Sequence, residues 1–319
     1  MLPNAYAASV AATQDILQAA AVLSPKLGLP VPLWRVVSLE GGLVPLSSGL
    51  QIETQRMPLK KTRASAIWVV PGLGINDSAD LSLRLTEPAA QRMASLVKTH
   101  VIAGGTVAAS CTAVFLLQAA GLLKGRRATT SWWLSAALRK LEPECRVDTD
   151  RMLISDGPVI TAGAAFAQTD LMLHLLRKRC GSGLSSAVGK VLLLDGRQAQ
   201  SSFVVPAMLV NGDELIGQMM RYIESILPKT PSVVELASKF AMSPRTLSRH
   251  VRAETGQSPL ALIQSVRLNR ARTLLESSRM PVDQVAQAVG YSDATALRRL
   301  MHKASAGKPS SFRDSSHEQ

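Results

Sequence analysis

The sequence predicts an α/β domain with a mostly parallel sheet between layers of helices, followed by an all-α domain. Two observations predict this order. In the first part of the 319-residue chain, short apolar runs typical of buried strands alternate with runs of helical periodicity. In the last part, a short amphipathic helix, a tight turn and a second helix with a basic outer face occur twice.

The composition favours a folded chain with a polyanionic partner. The length suits two domains, the 46% hydrophobic residues can form cores, and the 18% charged residues are too few for a disordered chain. A net charge of +13 and a pI of 10.2 indicate nucleic acid or an anionic membrane surface as the partner. Three cysteines without a C-x-x-C pair argue against a secreted disulfide scaffold. Because the N-terminus lacks the basic segment of a signal peptide, we expect a cytoplasmic protein.

The charge is distributed unevenly along the chain. Residues 229–319 hold 14 Lys and Arg against 7 Asp and Glu, whereas the other 228 residues hold 22 against 16. All four tryptophans lie in the first part. Between the two parts, residues 195–213 contain turn residues and a proline, as linkers do. We therefore predict a first domain over residues 1–200, a linker over 201–212 and a second domain over 213–319.

One stretch is long enough to be mistaken for a transmembrane helix. Val101–Leu123 has 23 residues and no charge, which meets the length rule for a bilayer span. Its glycines, threonines and glutamine divide it into a short β-like piece and a helical piece. We predict a buried strand followed by a helix here, and no membrane partner.

The elements of the first domain follow from these periodicities. Apolar runs predict strands over Ala66–Val70, Val107–Ser110 and Val159–Thr161. Helical patterns predict helices over Glu87–Lys98, Ala113–Ala120, Ser135–Leu141 and Thr169–Arg179. Since ligands of such folds bind outside the carboxyl ends of the strands, two loops are candidate sites: Pro71–Gly74 and Ser110–Thr112.

The first helix–turn–helix unit begins at a serine N-cap, with a short helix predicted over Ser232–Phe240. Pro244 suits the first position of the next helix, where its missing N–H costs nothing. That helix buries Leu247 and Val251, and Gly256 ends it. Its outer face carries basic and polar side chains: Arg245, Thr246, Ser248, Arg249 and Arg252.

The same pattern returns about 50 residues later, with a helix over Val282–Val289, a turn, and Asp293 as the cap of the next helix. Leu297 repeats the buried position of Leu247. The outer face of this second unit carries Thr295, Arg298 and Arg299.

A single long helix, Pro259–Leu275, is predicted to connect the two units. We expect four of its residues to face inward: Leu260, Ile263, Ala271 and Leu274. A rigid connection would let the two outer faces enter successive major grooves, about 34 Å apart. An arginine-rich face is alternatively a solvated surface, but its repetition on two matched cores favours DNA.

These features resemble the DNA-binding domain of the AraC/XylS family. The resemblance rests on Ser243–Gly256, on the R-L-N-R-A-R-T-L-L run from Arg267 and on V-A-x-x-V-G-Y-S-D from Val285, in that order along about 100 residues. It implies base-reading positions in both units, at Arg245, Ser248 and Arg249 in the first and at Thr295, Arg298 and Arg299 in the second.

The second unit departs from the family pattern. Leu297, Met301 and Ser305 stand where aromatic residues are usual, and Ala306 stands in place of a glycine. This unit therefore either reads bases or mainly grips the DNA backbone.

Ser110–Thr112 resembles a nucleophile elbow, in which a strained strand-to-helix turn presents a reactive side chain. A helix N-terminus would favour the thiolate form of Cys111. Alternatively, Cys111 is a small core residue.

The run from Cys111 to Trp132, C-T-A-V-F-L-L-Q-A-A-G-L-L-K-G-R-R-A-T-T-S-W, is similar to the glutamine-amidotransferase-like (ThiJ/PfpI-type) domain. More narrowly, it resembles the copy that is fused to AraC-type domains in bacterial regulators. Asp156-Gly157, Ala162-Gly163 and Asp170-Leu171 continue the resemblance, which reaches about residue 200. It implies a flavodoxin-like fold.

The residues around the cysteine do not predict catalysis. Hydrolytic members place a histidine directly after the cysteine, where this chain has Thr112, and related regulators often read T-T-H-W where Thr129–Trp132 reads T-T-S-W. His100 precedes the apolar stretch, and His174 lies among leucines in mid-helix. The sequence has no paired carboxylates, metal-ligand spacing or phosphate loop. We predict no enzyme activity, no metal and no cofactor.

Although no catalysis is predicted, the pocket at these two loops is predicted to bind an effector. Cys111 and Thr112 would form its floor, the loop with Gly72 and Gly74 one wall, and Trp132 another. The resemblance implies an amine or an amino-acid derivative, including quaternary ammonium compounds, and a tryptophan face suits a cation; core packing is the alternative for Trp132. Asp15 is either a counter-charge or an exposed helix residue.

Family members open with an apolar strand, whereas this sequence begins at Met1-Leu2-Pro3, where that strand would end. We expect either a truncated first strand or a start codon further upstream.

Together these patterns predict a sequence-specific transcriptional regulator, and we expect an activator. Its predicted partners are promoter DNA, a small-molecule effector, RNA polymerase and a second copy of the chain. The alternative is a cysteine-dependent amidohydrolase whose basic tail localises it to DNA.

Overall fold

The computed structural model describes residues 1–57, 66–75, 77–149, 151–194, 214–255, 257–278 and 280–303. The chain divides into two compact units, Met1–Gln198 and Ala199–Gln319. The predicted linker over 201–212 lies outside the described residues, as do Gly256, Ser305 and Ala306.

The first unit alternates strands and helices. In chain order its elements are α1 (Ala7–Lys26), β1 (Val37–Ser38), β2 (Gly42–Pro45), β3 (Gln51–Arg56), β4 (Ile67–Val70), α2 (Ser78–Thr86), α3 (Pro88–Ile102), β5 (Thr106–Ser110), α4 (Val114–Ala119), β6 (Arg127–Ala128), α5 (Ser135–Leu141), β7 (Arg146–Val147), β8 (Leu153–Asp156), β9 (Val159–Ala162), α6 (Ala167–Cys180) and α7 (Ser182–Val191). Two short 3₁₀ turns, Cys111–Ala113 and Trp132–Leu134, precede α4 and α5.

The central sheet has the strand order β4-β5-β9-β8, in which β8 alone runs antiparallel to its neighbour. Successive residues of β5 serve opposite cores. Val107 and Ala109 join the cluster that includes Val97 of α3, whereas Ala108 joins the cluster that includes Leu171 of α6. Side chains alternate between the two faces of a strand, so the sheet is covered by helices on both sides. The predicted α/β class is confirmed.

Four strand pairings were not predicted from the sequence. β1, β3 and β2 form a small three-stranded sheet, and β6 pairs with β7. β8 and β9 form a hairpin across Gly157-Pro158, with Gly157 at φ +60°. Gly157 occupies the first of the two loop positions, where hairpin turns favour a glycine with positive φ.

The stretch Val101–Leu123 contains strand β5 followed by helix α4, as predicted, and it begins with the last two residues of α3, a helix predicted to end at Lys98. Within the described ranges, every helix is too short or too polar to cross a bilayer.

The described elements of the second unit are all helices: α8 (Glu214–Ser225), α9 (Val233–Lys239), α10 (Pro244–Thr255), α11 (Pro259–Ser277), α12 (Val282–Ala288) and α13 (Ala294–Lys303). They enclose two separate cores. Leu247 and Val251 of α10 pack in the first core with α8, α9 and the start of α11. Leu297 and Met301 of α13 pack in the second core with α12 and the end of α11.

The connecting helix α11 follows the prediction except at its start. Ile263 and Ala271 are buried and Leu274 is partly buried, but Leu260 is 55% exposed, so its predicted inward orientation was wrong.

The reason is that α11 buries different faces at its two ends. Ile263 and Val266 face the first core, and Ala271 and Leu275 face the second. At about 100° per residue, Leu260 lies within about 20° of Ala271 around the helix axis. Leu260 thus shares the second face at the end of the helix that packs against the first core, where that face is open to solvent.

Candidate functional site

The turn after β5 holds Cys111 in a left-handed conformation. Its φ is +55°, which is uncommon for a residue with a side chain and costs about 1–2 kcal/mol. The Cys111 N–H donates to the carbonyl oxygen of Gly163 at 2.6 Å, directly after the neighbouring strand β9. The chain thus has the sharp strand-to-helix turn that its sequence predicts, at the carboxyl end of the sheet.

Hydroxyl groups surround Cys111. The Ser131 Oγ donates to Cys111 Sγ at 3.1 Å, and the Thr130 Oγ1 donates to the Cys111 carbonyl oxygen at 2.9 Å. The Thr112 Oγ1 accepts from the Leu73 N–H at 2.8 Å, which fixes the 71–75 loop to the elbow. All of these side chains are buried.

Gly72 approaches the elbow closely. A Cβ at Gly72 would lie 3.3 Å from the Cys111 Cβ and 3.3 Å from the Tyr6 ring. The Gly72 carbonyl oxygen accepts from the Tyr6 N–H at 2.8 Å. The structure therefore brings Cys111, Thr112 and Gly72 together.

The other predicted effector residues have different surroundings. Trp132 follows Ser131 in the chain, is buried, and packs edge-to-face on Trp133 with ring centroids 5.1 Å apart. Gly74 packs against the backbone of Asn4, where a Cβ would lie 1.9 Å from the carbonyl oxygen. Asp15 is exposed on α1.

Burial raises the pKa of the Cys111 thiol, and the hydrogen bonds from Ser131 and Thr112 lower it less. The expectation that the helix N-terminus favours a thiolate was therefore wrong. A sulfur with no solvent exposure loses the hydration that a charged form requires. The side chain is a neutral thiol at pH 7.

His100 lies at the opposite end of the sheet from Cys111. Its ring stacks on Trp68 at 4.3 Å, and its Nε2 lies 3.2 Å from the carbonyl oxygens of both Ala66 and Thr106. Thr106 begins β5 and Cys111 follows its end, so the two sites are roughly 16 Å apart along the strand. His100 is too distant to accept the proton of the thiol.

His174 lies on α6, six residues beyond Gln168, whose side chain contacts Ser110 next to the elbow. Six residues correspond to about 9 Å along the helix axis. Burial lowers its pKa. The Sγ of Cys111 instead faces Ser131, which stands where related regulators have the histidine of T-T-H-W. A hydroxyl does not act as a general base near pH 7.

A buried series of side-chain hydrogen bonds behind the elbow was not predicted from the sequence. The Ser110 Oγ donates to Gln168 Oε1 at 2.6 Å, the Gln168 Nε2 donates to Thr13 Oγ1 at 2.8 Å, and Thr13 Oγ1 donates to the Ser9 carbonyl oxygen at 2.8 Å. This series of hydrogen bonds joins β5, α6 and α1.

The described residues contain no group of three or more His, Cys, Asp or Glu side chains that could hold a metal ion.

The first helix–turn–helix unit has well-defined caps. Ser232 and Glu235 form a capping box at the start of α9. The Thr246 N–H donates to Ser243 Oγ at 3.1 Å at the start of α10, and the Thr246 hydroxyl is also bonded to that oxygen. Part of the Thr246 side chain is thus used in the cap.

The outer face of α10 is basic. Arg245, Arg249 and Arg252 are exposed, and Ser248 is half-buried beside them. Spacings of four and three residues place the three arginines on one side of the helix.

The second unit repeats this arrangement. The Ala296 N–H donates to Asp293 Oδ1 at 2.8 Å, which makes Asp293 the predicted N-cap, and this bond lowers the pKa of its carboxyl group. Thr295, Arg298 and Arg299 are exposed on α13.

Both parts of the chain match known families. Residues 9–178 match the DJ-1/PfpI family, and residues 236–315 match a helix-turn-helix domain. The HTH-type transcriptional regulator CdhR of Pseudomonas aeruginosa is 30% identical over 290 residues, which cover 88% of this chain and 81% of CdhR. The HTH-type transcriptional regulator GlxA of Rhizobium meliloti is 26% identical over 96% of this chain and 91% of GlxA.

A crystal structure of a protein from Vibrio parahaemolyticus, 19% identical, matches 60% of this chain and 95% of its own with a TM-score of 0.51, which supports the fold. The two repeated basic helices on an all-α domain, joined to an elbow-bearing α/β domain, define a DNA-binding regulator with an N-terminal ligand-sensing domain. The chain belongs to the family of AraC-type transcriptional regulators with a DJ-1/PfpI-type N-terminal domain.

Proposed function

We propose that the chain is a sequence-specific activator of transcription whose N-terminal domain, residues 1–200, binds a small effector without chemical turnover. In this proposal residues 201–212 link it to the DNA-binding domain, 213–319. The observation that carries the proposal is the pair of exposed arginine faces on α10 and α13, each held on its own buried core.

Specific readout is assigned to the polar and basic side chains of the two outer faces. Arginine suits bidentate contact with guanine O6 and N7. Arg249 and Arg299 occupy equivalent places in the two units, and Thr295 and Ser248 supply hydroxyl contacts. Arg252 and Arg298 add contacts to bases or phosphates, and Thr246 contributes mainly through the cap.

Replacing Arg249 by alanine tests this assignment. We expect binding to a DNA sequence selected by the wild-type protein to weaken about 5- to 150-fold, the equivalent of roughly 1–3 kcal/mol, and preference at one base pair to relax. Mobility shifts of the full chain on the selected sequence and its single-base variants measure both effects.

Arg221→Ala is the matched control, because Arg221 is also an exposed arginine and lies on α8. It removes the same charge and should leave base preference intact. Unchanged affinity and preference in Arg249→Ala would refute the assignment.

The effector is proposed to act at the Cys111 cluster. Cys111 and Thr112 have no solvent exposure, so contact with an effector requires the Gly72 loop or the segment with Trp132 to move. Such movement gives the bound and free states different structures, as a switch requires. We propose an amine or amino-acid derivative, with the Trp132 face toward its cation.

A thermal-shift screen of quaternary ammonium compounds and amino-acid derivatives tests this ligand class. A binding compound raises the melting temperature by mass action. No shift with any compound of the class would contradict it. Asp15 is not proposed as the counter-charge, since it is exposed on α1.

Absence of catalysis is proposed on three structural grounds and one comparison. Burial keeps Cys111 as a neutral thiol, its sulfur faces the hydroxyl of Ser131, and His100 lies at the other end of β5. The named relatives CdhR and GlxA are regulators.

We further propose that the protein is a cytoplasmic homodimer. The dimer would bind a paired promoter site and engage RNA polymerase.

A further inference from the structure

Arg267, on the connecting helix α11, donates hydrogen bonds to the protein backbone. The Arg267 Nε donates to the Val289 carbonyl oxygen at 2.8 Å, and its Nη2 donates to the Gly290 carbonyl oxygen at 2.5 Å. The guanidinium carbon lies 3.6 Å from the centre of the Tyr291 ring. Three consecutive residues of the turn between α12 and α13 are thus held by one side chain.

The chemistry of this contact suits arginine. Val289 is the C-cap of α12 and Gly290 follows it. The last carbonyl groups at such a helix end lack intrahelical partners and carry partial negative charge. A planar cation with donors in a fixed fork satisfies two carbonyls while it stacks on a ring. Lysine would keep the charge and lose this fork.

The segment before α9 packs closely against the same turn. Gly290 has φ +81°, and a Cβ there would lie 2.4 Å from the Pro228 carbonyl oxygen and 2.6 Å from the Thr230 hydroxyl. This segment leads into the first helix–turn–helix unit. Arg267 is likewise one residue beyond Val266, which is buried in the first core. Both segments that contact the second turn are therefore joined to the first helix–turn–helix unit.

The position of the turn determines the position of α13, whose N-cap Asp293 is three residues beyond Gly290. We propose that Arg267 is a positioning residue that fixes the second DNA-reading helix relative to the first, and so sets the spacing of the two DNA segments that the protein accepts. The proposal rests on the DNA-binding function proposed above.

The experiment uses the full chain and a DNA sequence that the wild-type protein selects from a random duplex library. Three duplexes are compared: the selected sequence, the same sequence with one base pair inserted between its two protected segments, and a version with the second segment scrambled. The insertion moves the second segment by about 3.4 Å and about 34° around the DNA axis.

We expect the insertion to weaken wild-type binding at least about tenfold, comparable to the loss of base contacts. In Arg267→Ala this penalty should shrink to less than about threefold, while scrambling the second segment still weakens binding. Arg267→Lys should give an intermediate penalty. Arg270→Ala, an exposed arginine on the same helix, should keep the wild-type penalty.

An undiminished insertion penalty in Arg267→Ala overturns the proposal. When Arg267→Ala no longer distinguishes the scrambled segment, Arg267→Lys decides: a reduced penalty supports the positioning role and a wild-type penalty overturns it. Failure of the wild-type protein to select any sequence overturns the proposed function itself, and this proposal with it.

Discussion

Replacing Gly74 by alanine tests the packing of the elbow region. Gly74 has φ +72°, and an added Cβ would lie 1.9 Å from the backbone oxygen of Asn4, a contact that requires the backbone to move. Asn4 is held in turn by its N–H bond to the Pro45 carbonyl oxygen at 2.7 Å. A left-handed alanine costs about 1–2 kcal/mol, and each hydrogen bond lost in the displacement about 0.5–1.5 kcal/mol.

We therefore expect Gly74→Ala to lower the free energy of unfolding of the N-terminal domain by about 2–4 kcal/mol. Gly49→Ala is the matched control, because Gly49 has φ +77° and no atom within 4 Å of its added Cβ. That variant should lose the conformational cost alone, about 1–2 kcal/mol.

The assay is urea unfolding of the full chain followed by tryptophan fluorescence. All four tryptophans lie in the N-terminal domain, so the signal reports that domain alone. A Gly74→Ala variant no less stable than Gly49→Ala would refute the close fit between the 71–75 loop and Asn4.

Two further predictions concern ionisable groups. Cys111 is buried, and burial raises its pKa, whereas Cys180 is partly exposed. A thiol reagent at pH 8 should therefore label Cys180 in the native protein and Cys111 only after unfolding, which peptide mass mapping measures. Rapid labelling of Cys111 in the native protein would contradict a sealed elbow. Burial also lowers the pKa of His100 below its ordinary value of 6.5. The neutral ring then contributes stability that is fully present above pH 6.5 and is lost as pH falls through the lowered pKa, so His100→Gln should flatten the decline in melting temperature between pH 7.5 and 5. An unchanged slope would show that His100 is not the titrating group.

Local patterns account for most of what the sequence predicted correctly. A serine cap, a proline at the first helical position and periodic apolar residues each act within a few residues, so both helix–turn–helix units were predicted, with Ser232 and Asp293 as N-caps. The strand β5 was predicted because a buried parallel strand reads as a continuous apolar run. The two-residue strands β1, β6 and β7 are too short to show any period.

The candidate site was predicted where topology alone determines proximity. Parallel strands end at one edge of a sheet, so the Gly72 loop and the Cys111 turn had to meet there. Residues joined by tertiary contacts were missed, because Gln168 is 58 residues from Ser110 and 155 residues from Thr13. Burial of the sulfur, which reverses the expected pKa shift of Cys111, likewise depends on packing that no local pattern reveals.

The change of buried face along α11 shows the same limit. A helix that packs on one core obeys a single period, whereas α11 serves one core at its start and another at its end. Leu260 fits the second face by periodicity and is exposed because the second core does not extend that far.

A hydroxyl-radical footprint of the full chain, on a sequence that it selects from random DNA, tests directly whether both helix–turn–helix units read DNA. Two reading helices, α10 and α13, joined by the connecting helix α11 predict two protected segments per protein, about 10 base pairs apart. The affinity should fall steeply as salt increases. A single protected segment, or binding with no selected sequence, would contradict the central claim that this chain reads DNA through both of its helix–turn–helix units.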